Sequence, residues 1–278
     1  MSKIYVPGIE KYGQLKSQFL DAEKLLSEPE TNASLLSKIV REFDQNPLTA
    51  RFLRADFGQR YDTLYSSVRR LYQASLQLDK SPADNGSEKT QHEWFSYWDT
   101  IDDGRVMASM GDLYQSFKQL KTMSEEGNPG EKSFVKKIRD GLRADFSAKK
   151  ILGSSTKIEK ISGSDMLISH HYGSCSGLYK EHTGLCYDFS TLKLDLLLSK
   201  ERGFDLLQKI LDTNDSKETI LDTLYFIAGQ DKKIYTSLNT HKNNDPIGLV
   251  SFRYFNNNQF VIVAMNSNAK IRTRGIKI

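Results

Sequence analysis

The stretch Gly248-Leu-Val-Ser-Phe-Arg-Tyr-Phe-Asn-Asn-Asn-Gln-Phe-Val-Ile-Val-Ala-Met265 decides the fold class. Two runs rich in β-branched and aromatic residues, Gly248–Phe255 and Phe260–Met265, flank a polar turn at Asn256–Gln259, which is the pattern of a β-hairpin. Upstream, Met166–Ser169 and Ile234–Ser237 read as further strands. Between those two lie Thr191–Leu211 and Lys217–Ile227, which read as helices, with Leu194, Leu197, Leu198 and Leu206 supplying an apolar face. From Glu10 to Ile151 the apolar residues instead keep helical spacing, as in Leu15, Phe19, Leu20 and Leu25. Two polar stretches carrying proline and glycine, Asp79–Ser87 and Glu125–Gly130, read as loops, the second separating helices over Met107–Met123 and Lys132–Lys150. Gly153-Ser-Ser-Thr156 marks the change of pattern. The expectation is therefore an α+β fold: a helical region over residues 1–152, then a smaller α+β domain over 153–278 with an antiparallel sheet.

The 278 residues hold 39 Lys and Arg against 35 Asp and Glu, a formal charge of +4, and 38% are hydrophobic. Such a chain can bury a substantial core. Its mean hydropathy is −0.52, and no apolar run approaches the ~20 residues that span a bilayer. The opening Met1-Ser-Lys-Ile-Tyr-Val-Pro-Gly8 lacks the apolar core of a secretory signal. These features lead to the expectation of a soluble, cytoplasmic chain without a membrane span. They are also compatible with signal-independent export into a host cell, as an effector or viral protein would require. Cys175 and Cys186 are too few for a disulfide framework and read as free thiols in a reducing compartment.

The scarce reactive residues are concentrated in His170-His-Tyr-Gly-Ser-Cys-Ser-Gly-Leu-Tyr-Lys-Glu-His-Thr-Gly-Leu-Cys186. This cluster admits three readings. In the first, Cys175 is a nucleophile and His182 its base, since a thiol needs a neighbouring imidazole to react well at neutral pH. A tight hairpin over Gly177–Thr183 would set the two on facing strands. A variant uses Cys186, at the start of the Thr191–Leu211 helix, with His241 downstream as base. Gly173-Ser-Cys-Ser176 with His182-Thr-Gly184 resembles the cysteine and histidine motifs of the Rho-deamidating cytotoxic necrotizing factor toxins. The order Cys186, His241, Asn266 resembles that of papain-like hydrolases, and Gly184-Leu-Cys-Tyr187 is similar to the nucleophile motif of viral leader proteases. These resemblances imply cysteine-dependent hydrolysis or deamidation of an amide in a protein, and so another protein as partner.

In the second reading His171, Cys175, His182 and Cys186 are four ligands of tetrahedral zinc, stabilising a small interaction module. Zinc enters as a cofactor only through this reading. In the third, the thiols are small buried apolar groups and the histidines fill polar corners of the structure.

A further alternative concerns charge. Pro246–Ile278 contains no acidic residue, and Lys270, Arg272 and Arg274 alternate, so an extended tail would aim them one way. With Arg253, and with Tyr254 and Phe255 to stack bases, they compose a candidate RNA-binding surface of a non-enzymatic protein. Solvated, charge-protected surface is the competing explanation. Trp94 and Trp98, one helical turn apart, are assigned to packing.

Overall fold

The computed structural model describes residues 9–25, 39, 42–43, 46–67, 78–79, 81–101, 104–127, 129–146, 150–160, 165–172, 178–185, 192–237, 247–255, 258–266 and 268–277. They fall into two compact units, residues 1–75 with 122–137 and residues 76–121 with 138–278. Among the described residues no helix is long and apolar enough to cross a membrane.

The first unit is helical. Helix α1 (Ile9–Leu25) buries Leu15, Phe19 and Ala22, one stripe of a 3.6-residue period. Helix α2 (Pro47–Phe57) begins with proline at its first turn, where the missing N–H costs nothing. It ends at Gly58, whose φ of +52° suits glycine and whose N–H returns to the Arg54 carbonyl. Phe19 packs on Phe57 and on Tyr61, with ring centroids 4.4 and 6.0 Å apart.

The second unit carries the sheets and confirms the α+β class. In chain order its elements begin with α3 (Gln91–Asp99), β1 (Arg105–Met107), α4 (Met110–Glu126, entering the first unit at its end) and α5 (Pro129–Asp145, leaving it). There follow β2 (Leu152–Lys160), β3 (Asp165–His170), β4 (Lys180–Leu185) and β5 (Leu192–Lys193). Helices α6 (Leu194–Leu198), α7 (Glu201–Ile210) and α8 (Lys217–Ala228) lead to β6 (Lys233–Ser237), β7 (Ile247–Phe255), β8 (Gln259–Asn266) and β9 (Gly275–Lys277). Residue 152, where the strand pattern starts, opens β2 inside this unit.

Seven strands form one sheet in the order β4-β3-β2-β7-β8-β6-β5, and β1 pairs with β9 in a separate ribbon. The hairpin of β7 and β8 is antiparallel from Gly248↔Asn266 to Phe255↔Gln259. The antiparallel expectation fails at one pair: β6 and β8 run parallel, from Lys233↔Gln259 to Ser237↔Val263. The hairpin places β8 between β7 and β6, and two reversals of chain direction leave β8 running with β6. The sheet is therefore mixed.

Both faces of the central strands are covered. On one, Phe252 meets Phe117 of α4, Phe146 and Phe260, at centroid distances of 5.5, 6.0 and 5.3 Å. On the other, Leu249 joins Ala83, Trp94, Trp98, Met107 and Ile271 in one buried cluster. The tryptophans pack as their sequence suggests and also anchor the segment leading into β9. Trp94 Nε1 donates to the Ile271 carbonyl at 2.7 Å, and Trp98 Nε1 to Thr273 Oγ1 at 3.2 Å.

The helix expected over Thr191–Leu211 is broken. Leu192 pairs with Thr236 in the sheet, and α6 ends at Leu198 before α7 begins at Glu201. The two short helices then fold against each other at Gly203, where a Cβ would lie 2.6 Å from the Leu197 carbonyl oxygen. The tight hairpin expected at Gly177–Thr183 is also corrected. Pairing of β3 with β4 runs from Asp165↔Leu185 to His170↔Lys180, so residues 180–183 are strand.

Candidate functional site

Register places the histidines. His170 lies opposite Lys180, and Ile168 lies opposite both Ile158 and His182. Because side chains alternate along a strand, Ile158, Ile168, His170, Lys180 and His182 share one face. Ile158 and Ile168 are buried, giving the histidines an apolar floor. The His170 and His182 rings meet edge to face, with centroids 5.5 Å apart. Asp212, from the turn after α7, completes the group, and Gly111 in the first turn of α4 closes it from the side. A Cβ on Gly111 would stand 2.8 Å from the Asp212 Cβ. Among the described residues, four non-glycine residues have positive φ, and two of them, His171 at +53° and Asp212 at +44°, border this place. Strained backbone of this kind is often concentrated at functional positions.

His170 is held at both nitrogens. The Met110 N–H donates to Thr156 Oγ1 at 2.8 Å, and Thr156 Oγ1 lies 2.9 Å from His170 Nδ1. His170 Nε2 lies 2.9 Å from the Lys209 carbonyl oxygen. A carbonyl can only accept, so Nε2 carries the proton, Nδ1 accepts, and the Thr156 hydroxyl donates to it. Burial lowers the pKa of His170, against the pull of the Lys209 carbonyl and Asp212, so the ring is neutral at neutral pH. His170 thus behaves as a satisfied core histidine.

His171 is spent elsewhere. Its Nε2 is 3.1 Å from Asp112 Oδ2, an oxygen that also accepts from the Ser109 N–H and hydroxyl, both at 2.7 Å. Asp112 N–H returns to Ser109 Oγ, so Ser109 and Asp112 cap the start of α4 reciprocally. Burial raises the Asp112 carboxyl, but His171 and Ser109 outweigh it and hold it below the ordinary carboxylate value.

His182 is half-buried, with 34% of its side chain accessible. Its Nε2 stands 3.3 Å from Asp212 Oδ1, while Lys180 Nζ binds the other oxygen, Oδ2, at 2.9 Å. Burial pushes the Asp212 carboxyl up, yet Lys180, His170 and His182 together hold it below the ordinary range, so it is ionised at neutral pH. The Nε2 atom of His182 is itself buried and makes no aligned hydrogen bond. One ligand-competent atom from each of His170, His182 and Asp212 lies within 4.8 Å of the other two.

Of the residues singled out in the sequence, His182 falls in this group, while Cys175, Cys186 and His241 lie outside the described residues. The four-ligand set of His171, Cys175, His182 and Cys186 is represented by its two histidines, which turn to different carboxylates, Asp112 and Asp212. Asp212 was missed by sequence reasoning, because it is 30 positions from His182 in a turn with no motif of its own.

The basic residues near the end of the sequence do not form one exposed stripe. Lys270 is exposed. Arg272 Nε is 3.4 Å from Glu88, and Arg274 is buried against Asp145 at 2.6 Å. Arg253 is half-buried, its guanidinium 5.3 Å from the centre of the Phe255 ring. Comparison with protein-family models, with curated proteins and with solved structures finds no match.

Proposed function

We propose that this chain is a cysteine-dependent hydrolase or deamidase acting on an amide in a protein, with His182 as general base, Asp212 as its orienting carboxylate, and Cys175 or Cys186 as nucleophile. The observation that carries the reading is the approach of His182 Nε2 to Asp212 Oδ1 at 3.3 Å, on a strand that one cysteine precedes and the other follows closely in sequence. A carboxylate on Nε2 leaves Nδ1 to face a thiol, the arrangement in which the third group fixes the tautomer of the base. Catalytic hydrogen bonds in unliganded enzymes are often long and tighten when substrate binds.

The reaction runs in two steps. The free imidazole nitrogen takes the thiol proton as the sulfur attacks the amide carbon; the C–N bond breaks, and the imidazolium returns its proton to the departing amine or ammonia. Water, deprotonated by the same imidazole, then hydrolyses the thioester and restores the thiol. The strained Asp212 and the wedge of Gly111 against it would keep the carboxylate in place through both steps.

The test needs no substrate. Alkylation of each cysteine by iodoacetamide is followed against pH by peptide mass spectrometry. The expected result is one thiol that reacts at neutral pH, well below the ~8.5 of an ordinary cysteine, and loses that reactivity in His182→Ala. If both thiols titrate ordinarily and ignore the substitution, the reading is wrong.

A further inference from the structure

We infer that His170, His182 and Asp212 form a binding site for a divalent transition cation of the zinc class. The mutual distance of their ligand atoms, none beyond 4.8 Å, is the first ground. The second is the relation of His182 Nε2 to Asp212 Oδ1. The nitrogen is buried and has no aligned hydrogen bond, yet a carboxylate oxygen stands only 3.3 Å away. Zinc–nitrogen and zinc–oxygen distances of about 2.0–2.2 Å around a tetrahedron put neighbouring ligand atoms roughly 3.3–3.6 Å apart. The pair therefore has the spacing of two atoms that share a cation.

The surroundings supply what metal ligands need behind them. Lys180 occupies Asp212 Oδ2, which fixes the carboxylate and leaves Oδ1 free. Thr156 sits behind His170 Nδ1, so a cation would take Nε2 in place of the Lys209 carbonyl, to which that nitrogen donates at 2.9 Å without metal. Ligation there requires the ring proton to move from Nε2 to Nδ1. The Thr156 hydroxyl can accept as well as donate, and so supports either tautomer. Three protein ligands leave a fourth position for water.

The site has a regulatory consequence that rests on the hydrolase reading, although the binding does not. A neutral imidazole has one nitrogen lone pair. When the cation takes it, His182 has none with which to accept the thiol proton, so the metal inhibits.

The experiment titrates the protein, stripped with a chelator, with zinc by calorimetry and with cobalt by visible absorption. One equivalent should bind, with tetrahedral cobalt bands, and affinity should fall at least tenfold in His170→Ala and in Asp212→Asn. It should be unchanged in the Cys175→Ser, Cys186→Ser double variant and in His92→Ala, at an exposed position on α3. Circular dichroism checks each fold, and Asp212→Asn decides if His170→Ala unfolds. No binding, binding indifferent to Asp212→Asn, or binding lost with the cysteines overturns the inference. Iodoacetamide reactivity, measured without metal, still judges the hydrolase reading separately.

Discussion

Arg274 donates from both Nε and Nη2 to a single oxygen, Asp145 Oδ2, at 2.9 and 2.6 Å. Its third contact is the Asp79 carbonyl, reached by Nη1 at 2.6 Å. Both side chains are almost wholly inaccessible, 1% and 5% exposed. Removing one partner leaves a buried charge alone, so Arg274→Met or Asp145→Asn should cost about 3–5 kcal/mol. Urea unfolding followed by tryptophan fluorescence measures it, since Trp94 and Trp98, the only tryptophans, both belong to the same unit as the pair.

Thr156→Val tests the hydrogen-bond chain through His170. Thr156 is buried, and the valine would strip partners from the Met110 N–H and from His170 Nδ1. About 1–3 kcal/mol is expected for each buried group left unpaired. Thr156→Ser keeps the hydroxyl and should restore most of the loss in the same unfolding assay.

Trp94→Phe removes the donor to the Ile271 carbonyl and some buried volume. That carbonyl still accepts from the Lys89 N–H, so the expected loss is a moderate ~1–3 kcal/mol. Hydrogen exchange should show faster exchange at Ile271 and Lys89 than in the parent.

Acid should act through Asp215. Burial raises its carboxyl, but hydrogen bonds from Lys118 at 2.9 Å and Tyr114 at 2.9 Å outweigh that and lower it below the ordinary 3.8. A lowered carboxyl stabilises the fold fully above its unfolded value and loses that contribution as pH falls through the folded one. Asp215→Asn should therefore be less stable than the parent near neutrality, and the gap should close below about pH 3.8. Urea midpoints across the acid range give the comparison.

The hairpin over 248–265 was legible because its β-branched and aromatic runs are long and its turn polar. Strand β2 was not. Gly153-Ser-Ser-Thr156 has the composition of a linker, yet each residue is recruited by something distant in sequence: Gly153 by Ile271, which a Cβ would meet at 2.3 Å, Ser154 by the Val250 carbonyl, Ser155 by the Met107 carbonyl. Tertiary partners override local propensity there. The basic residues illustrate the same limit, since nothing near Arg274 in the chain announces Asp145. At the candidate site, sequence identified His182 by the clustering of rare residues. It could not identify Asp212, whose place is set by the turn after α7, nor tell that His170 is already satisfied by Thr156 and Lys209.

The tie between Trp94 and Ile271 joins residues 177 positions apart, and that between Arg274 and Asp145 spans 129. Contacts so remote in sequence slow folding, because a long loop must close before they can form. During synthesis, residues 79–99 and 145 emerge long before the segment that completes them. Trp94 keeps its indole donor on water until Ile271 has left the ribosome, so the apolar surface it will bury stays exposed through much of the second unit's translation.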